Sequence, residues 1–411
     1  MDKRAYTLLM IIILSSLITG CWDRIELEER GFVIGVAIDA AEDEEAEQAE
    51  EEEAQNKPKG KQRFVGTFQF VVPGALAGGK GGMSPKEGEG SEEASFNISS
   101  AGDSMDTITR GLSTRTSRTP YFEHLQIVIV SEEVAKSEFG FANVVDYFLR
   151  DQDMRRSIKI IIAKGEAKKV LEVRPPNEKL PVMYIRSIIE NTDKTARMLP
   201  VSQFGDLQEN LLRSESFVIQ RIKGEKQEVK VAGSAVFQGG TNSLIGFLGE
   251  EETEGLNFIT DEVKQGSIKC LIHDNLVVYD IENSKSQIKA EVSDENKIQF
   301  TVTVETEGTV GESFERLDLL KPNILMGLEV KASEEIERLM KDSINKMQNE
   351  FEKDVFGFGA YLRGNHYETW QRVKEDWESG ENYFAKSNIQ VEAKVIIRRS
   401  GIINKTEKRK E

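Results

Sequence analysis

The chain has 411 residues, of which 38% are hydrophobic and 30% charged, with a formal net charge of −17. That length suits two or three domains of about 100–200 residues each, and the negative balance argues against nucleic acid and against flat adsorption onto anionic lipid. Two cysteines exclude a disulfide framework.

The first residues read as an export signal. Lys3 and Arg4 precede an uncharged, largely apolar run from Tyr6 to Ile18. A helix crossing a bilayer takes roughly 20 apolar residues, so this run fits a cleaved signal better than a span. Ile18-Thr19-Gly20-Cys21 then forms a lipobox: a branched residue, two small ones that fit the peptidase, and a thiol for the thioether. The expectation is removal of residues 1–20 and an S-diacylglyceryl, N-acyl (palmitate) group on Cys21. The alternative is an uncleaved N-terminal anchor with Cys21 an ordinary buried thiol. Each buried CH₂ contributes roughly 0.8 kcal/mol, so the two chains of a diacylglyceryl group hold a protein stably on a membrane that it does not cross.

An N-terminal α/β unit, possibly of two subdomains, is expected over 21–205. A buried strand is predicted at Gly31–Asp39 and a second at Arg63–Val72, joined by an acidic loop (40–60) that carries the carboxylate run Glu42–Glu53. A Gly-rich loop (73–95) follows. Within it, Gly74 to Lys80 has the G-x-x-x-x-G-K spacing of a phosphate loop. The next residues are Gly81 to Pro85, with no Ser or Thr at the magnesium position and no following helix, so the match carries no nucleotide site. Helices are predicted at Ala101–Arg118 and Phe139–Phe148, strands at Leu125–Val130 and Ser157–Ala163, and interrupted helix at Met183–Leu212.

After a connecting segment (206–227), a C-terminal α+β domain is expected over 228–400, with a charged tail at 401–411. Val231–Phe237 and Leu244–Leu248 flank a hairpin turn at Gly239–Asn242. A short helix at Glu250–Phe258 is followed by strands at Ser267–Ile272, Leu276–Glu282, Gln287–Val292 and Ile298–Glu305. The long helix Glu329–Lys353 repeats its apolar residues at three and four, so one face packs on the sheet. A last strand is predicted at Ile389–Ile397. The fold class is therefore α+β: a multi-domain, lipid-anchored ectodomain with mixed or antiparallel sheets packed against helices.

No catalytic constellation emerges. His124, His273 and His366 are far apart, and none has the spacing of a zinc site. Asp151 and Asp153 lie among Arg150, Arg155 and Arg156, as in a local ion-pair network. Glu251, Glu252 and Glu254 favour a helix N-terminus. Trp370 and Trp377 share one helical face and read as core, and Cys270 reads as a buried structural thiol. The acidic run lacks the glycine and alternating ligands of a calcium loop. No catalytic residue, metal, cofactor or small-molecule ligand is assigned.

Several stretches resemble one family. They are Gly20-Cys21-Trp22-Asp23-Arg24-Ile25-Glu26-Leu27, Tyr121-Phe122-Glu123-His124-Leu125, Phe148-Leu149-Arg150-Asp151, Met154-Arg155-Arg156, Ala232 to Phe237, Leu244 to Leu248, Glu251 to Leu256, and Asp354-Val355-Phe356-Gly357-Phe358-Gly359 with Trp370 and Trp377. In this order they resemble the Ger(x)C spore-germination lipoproteins, the C subunits of nutrient germinant receptors. The resemblance implies a non-enzymatic receptor subunit, lipid-anchored on the outer face of the spore inner membrane, with an A and a B subunit as partners and no cofactor. The acidic block and the Gly-rich loop are longer than that family usually has. A second hypothesis, from a different class, is an extracellular solute-binding lipoprotein of a transporter. Such a protein has two similar lobes about a cleft, and the unlike halves predicted here disfavour it.

Overall fold

In the computed structural model, the described residues are 29–41, 60–77, 93–272, 275–294, 297–313 and 321–399. Cys21, the acidic run Glu42–Glu53, His273 and the charged tail lie outside them. In chain order the first half runs β1 (Arg30–Ala40), β2 (Phe64–Val71), α1 (Pro73–Ala77), β3 (Ser95–Gly102), α2 (Met105–Gly111), β4 (Thr119–Tyr121), β5 (Ile127–Ser131), α3 (Glu132–Lys136), α4 (Gly140–Arg150), β6 (Lys159–Ala163), α5 (Ala167–Leu171), α6 (Pro181–Ile189) and α7 (Phe204–Arg213). It continues as β7 (Phe217–Gly224), β8 (Val229–Gln238), β9 (Ser243–Leu248) and α8 (Glu250–Ile259). The rest is β10 (Gly266–Ile272), β11 (Asn275–Asp294), β12 (Lys297–Ser313), α9 (Pro322–Lys346), α10 (Phe358–Asn365), α11 (Tyr367–Val373), α12 (Tyr383–Lys386) and β13 (Asn388–Arg399).

The strands form two sheets. The larger has the order β3-β2-β1-β5-β6-β7-β8-β9, with β4 beside β1; the smaller is β10-β11-β12-β13. In the larger sheet β1, β5, β6 and β7 run parallel, and antiparallel strands flank them. The parallel centre is buried on both faces, which is why β5 and β6 read as unbroken apolar runs. On one face α2, α4 and α7 cover Val36, Ile38, Val128 and Ile160, around Phe141, Phe148 and Phe204. On the other, α5 and α6 cover Ile34, Ala37, Ile129 and Ile161. Val33 and Val36, three apart, share a face because a β-bulge between Val33 and Gly35 breaks the alternation.

The smaller sheet packs its inner face on α9 and α8. Ile336, Leu339, Met340 and Ile344 of α9 meet Ile268, Val277, Tyr279, Phe300 and Val302. The same core reaches Val236 and Leu248 of the larger sheet, so α8 lies between the two sheets. Polar contacts fix it there. Asn257 Nδ2 donates to the carbonyls of Ala196 (2.7 Å) and Met198 (2.9 Å), and Thr253 meets Ser234 at 2.9 Å. Arg197 pairs with buried Glu254 at 3.2 Å.

Edge strand β13 is closed by a helix. The N–H groups of Ala393, Val395 and Ile397 donate to Glu337 (3.3 Å), Ser333 (3.1 Å) and Glu329 (3.0 Å) of α9. Steps of four along a helix rise about 6 Å and steps of two along a strand about 6.7 Å, so the two ladders stay in register when they run in opposite directions.

The α+β class with helix-packed sheets agrees with the sequence reading, and several elements differ from it. Residues 95–102 are a strand and the helix predicted from Ala101 starts at Met105, while Pro73–Ala77 at the head of the predicted Gly-rich loop is a helical turn. The segment taken as a connection holds most of α7 and all of β7, and β8 and β9 belong to the larger sheet, so residues 225–228 are a hairpin turn inside it. The two strands predicted between Leu276 and Val292 are one strand, β11. The long helix starts earlier, at Pro322, and ends in a π turn over Met347–Phe351.

Candidate functional site

In open α/β sheets the usual place for a ligand is outside the carboxyl ends of the parallel strands. Here that place is a cleft of about 790 Å³ at the ends of β1, β5 and β6, beside Asp39, Ser131 and Gly165. Asp39 turns inward to the first turn of α5 and accepts from the N–H groups of Ala167 (2.7 Å) and Lys168 (2.9 Å). Burial, aided by Glu166, raises its pKa to about 6. The chain thus supplies its own carboxylate where a phosphate would need those donors. Ser131 Oγ is likewise engaged, accepting from Val134 N (3.3 Å) as the cap of α3. Glu132 pairs with Lys136 at 2.5 Å, and Lys169 pairs with Glu166. The cleft offers no activated nucleophile, and among the described residues no group of three His, Cys, Asp or Glu side chains could hold a metal.

A densely wired polar site joins the larger sheet to the C-terminal helices. Asp354, buried, accepts from four backbone N–H groups: Phe356 (3.1 Å), Gly357 (3.0 Å) and Phe358 (3.2 Å) on Oδ1, and Gly359 (2.6 Å) on Oδ2. The Trp377 indole donates to Oδ2 as well, at 3.0 Å. Its neighbour Glu378 accepts from Asp354 N (3.0 Å) and from Ser216 Oγ (2.5 Å), while Ser216 accepts from Gly239 N (3.0 Å). Ser216 precedes β7 and Gly239 follows β8, so this chain of bonds ties the larger sheet to the C-terminal helices. Desolvation pushes both carboxyls up, Glu378 to about 7 with the Asp354 charge adding.

That shift sets a pH dependence. A carboxyl with a raised folded pKa stabilises the fold in its neutral form; the contribution is complete below its ordinary 4.5 and lost as pH rises through about 7. The unfolding midpoint is therefore expected to rise between pH 8 and pH 5.5, and Glu378→Gln to remove part of the rise, Asp39 and Asp354 supplying the rest. Parallel curves for the two proteins in a thermal scan would rule this out.

The sequence-derived candidates fall as follows. Cys21 lies outside the described residues. Gly74 to Ala77 of the phosphate-loop lookalike sit in α1. Cys270 is buried, donates weakly to Val277 O (3.6 Å) and has its thiol pushed up to about 11. His124 lies against Phe32 and Tyr121, and His366 against Tyr361 at the α10–α11 junction. The expected network around Asp151 takes another form: Arg150 pairs with Asp146 (2.6 Å), and Asp151 accepts from Asp153 N (2.9 Å). Glu251 and Glu252 do occupy the first turn of α8. Trp377 is core, with Trp370 6.0 Å away edge to face. The Asp354–Glu378 junction was missed as a site. Its sequence signal is an Asp just ahead of a Gly-containing turn, Phe356-Gly357-Phe358-Gly359.

Two family profiles cover this architecture. "Spore germination protein N-terminal domain" matches residues 23–224 and "Spore germination B3/ GerAC like, C-terminal" matches residues 232–401. The chain belongs to this family of spore germination proteins. The family boundary falls at the β7–β8 hairpin. Among curated relatives, the chain is 32% identical to spore germination protein YndF of Bacillus subtilis (strain 168) over 407 residues, 98% of each chain. It is 25% identical to spore germination protein B3 of the same organism, covering 87% of this chain and 89% of the relative. The crystal structure of the GerBC protein shares its fold, with a TM-score of 0.58 at 20% identity over 89% of this chain and 97% of that one. The family is not a known enzyme family, and membership favours the germination reading over a transporter binding protein.

Proposed function

We propose that this chain is the non-enzymatic C subunit of a nutrient germinant receptor, anchored through lipid on Cys21 to the outer face of the spore inner membrane and acting by contact with an A and a B subunit. The observation that carries the reading is the end-to-end family match, in which both profiles fit in order, together with the lipobox at the head of the chain. The wiring agrees with a contact role: at the ligand-type cleft Asp39 fills the N-terminus of α5 and Ser131 caps that of α3, and the buried carboxylates tie the larger sheet to the C-terminal helices. The two sheets differ in order and helix cover, so no pair of like lobes surrounds a solute. Confinement to a membrane raises the effective concentration of the subunit near its partners.

The test is dipicolinate release from spores carrying Cys21→Ala, triggered in parallel by nutrient and by a stimulus that bypasses receptors. Loss of the nutrient response alone is expected. A full nutrient response in spores that lack every sister receptor would sink the proposal.

A further inference from the structure

The Asp354–Glu378 junction lines a cleft of about 260 Å³ between the start of β7 and the helices α10 and α11. Phe217 and Val218 wall it on one side, and Ala360, Trp370 and Trp377 on the other. The walls belong to different family profiles, the first to the match over 23–224 and the second to that over 232–401. The first wall is fixed: a Cβ on Gly239 would overlap the Ser214 carbonyl, and Phe217 stacks on Phe237 at 5.0 Å. The second wall is a module pinned at its base. Its chain enters past Glu352 and leaves at Asn382, both in left-handed backbone, and Asn382 Nδ2 donates to Glu352 O at 3.2 Å. Phe356 and Phe358 anchor its inner side against Phe300 and Phe384. Across the cleft it meets the larger sheet through Glu378 on Ser216 and Arg363 on Glu215.

The two carboxyls are served unequally. Asp354 meets five donors, and only the proton-free, acceptor-only form satisfies all of them. Glu378 meets one obligate donor, the Asp354 N–H, and one hydroxyl, Ser216, which can donate or accept. Neighbouring carboxyls in a desolvated site do not ionise together without cost, so Glu378 is the member that holds a proton. Charged groups around it offer little relief. Lys353 donates to the Glu378 main-chain carbonyl (2.6 Å), and Arg363 is taken by Glu215. On α7, which lines the cleft through Asn210, Glu209 pairs with Arg213. Along its own segment, Lys374 pairs with Glu375, Glu381 with Lys386, and Asp376 lies against Gly380.

We propose that Glu378 is a proton-controlled latch between the two halves of the chain: protonated, it closes the cleft by bridging Asp354 to Ser216, and ionised, it opens it. Beside the Asp354 carboxylate a second charge is stabilised by water, and water reaches it when the outer edge of α10 and α11 moves off β7. The inner side of the module stays seated on Phe300, so the change occurs within the folded state. That distinguishes it from the pH dependence of unfolding, and it stands whether or not the chain is a receptor subunit. Burial and the Asp354 charge put the transition near neutrality, at about 7.

The experiment uses the full-length chain carrying Trp22→Phe, which leaves Trp370 and Trp377, both on the cleft, as its tryptophans. Quenching of their emission by acrylamide, an uncharged probe, is read from about pH 5.5 to about pH 8, with circular dichroism to confirm that the fold persists. The quenching constant is expected to rise about two-fold, with a midpoint near 7. Glu378→Gln should stay at the low value throughout, and Asp39→Asn, at the other cleft, should titrate like the parent. Ser216→Ala removes the bond across the cleft and should show the high value already at the acid end, which decides the matter should the Gln variant fail to fold. A flat profile in the parent, a Glu378→Gln variant that still titrates, a Ser216→Ala variant with the parent profile, or a rise that comes only with loss of dichroism would overturn the latch.

Discussion

Replacing Asp354 by Asn is expected to destabilise the protein by about 4 kcal/mol, because each buried donor left unpaired costs about 1–3 kcal/mol. Asp354 satisfies five donors with two oxygens, three on Oδ1 and two on Oδ2. An amide of the same shape keeps one oxygen. If its NH₂ takes the Oδ2 position it faces the Gly359 N–H and the Trp377 indole; if it takes the Oδ1 position it faces the Phe356, Gly357 and Phe358 N–H groups. In either orientation donors meet donors. Asp354→Ala should cost more, since it strands all five. The measurement is the urea midpoint together with Trp fluorescence, which should shift to the red as Trp377 loses its enclosure. An Asn variant with the wild-type midpoint would mean that the turn at 356–359 finds other acceptors, and that the carboxylate does not hold it.

The second large effect is a change of sign for one substitution at two glycines. Gly255 lies in α8 where the helix crosses α9, and a Cβ there would overlap the carbonyl oxygen of Leu339. Backbone at a helix crossing cannot rotate aside as a side chain can. Gly255→Ala should therefore cost about 3 kcal/mol in displaced packing, set against about 1 kcal/mol gained in helix propensity. Gly327 of α9 has open space where its Cβ would go, so Gly327→Ala should gain about 0.5–1 kcal/mol with no opposing cost. Thermal midpoints should move in opposite directions. A stabilised Gly255→Ala variant would show that α8 and α9 are free to separate, and would undo the account of α8 as the wedge between the sheets.

How much of this could be read from sequence depended on burial. β1, β5 and β6 were legible because strands covered on both faces carry continuous apolar residues, and α9 because one face of it is buried at steps of three and four. β3 was not legible. Ser95-Phe96-Asn97-Ile98-Ser99-Ser100 is a half-exposed edge strand, with small polar residues on both faces and little β-branched signal. β7 read as a connection because Gln220 sits in its middle, a polar residue buried by hydrogen bonds to the carbonyls of Ile189 and Leu199 that sequence cannot announce. β11 read as two strands because Glu282 to Ser286 is polar where the strand runs on past the core. The Asp354–Glu378 junction was illegible for a different reason: its parts, Ser216, Gly239, Asp354 and Glu378, come together only after the larger sheet meets the C-terminal helices. The family likeness was on the surface of the sequence from the start.

The α9 side chains that take up the outward N–H groups of β13 have a consequence for crowding. A bare edge of twelve residues is a template on which a neighbouring chain can continue the sheet, and that hazard grows steeply when copies share one plane and cannot diffuse apart. Glu329, Ser333 and Glu337 occupy three of those donors, at Ile397, Val395 and Ala393, in advance. A second copy could extend the sheet through β13 only by peeling α9 away, which would expose Ile336, Leu339, Met340 and Ile344 to water. Polymerisation through this edge is thus coupled to loss of the C-terminal core, and dense arrays of the protein can form without growing into fibres along that edge.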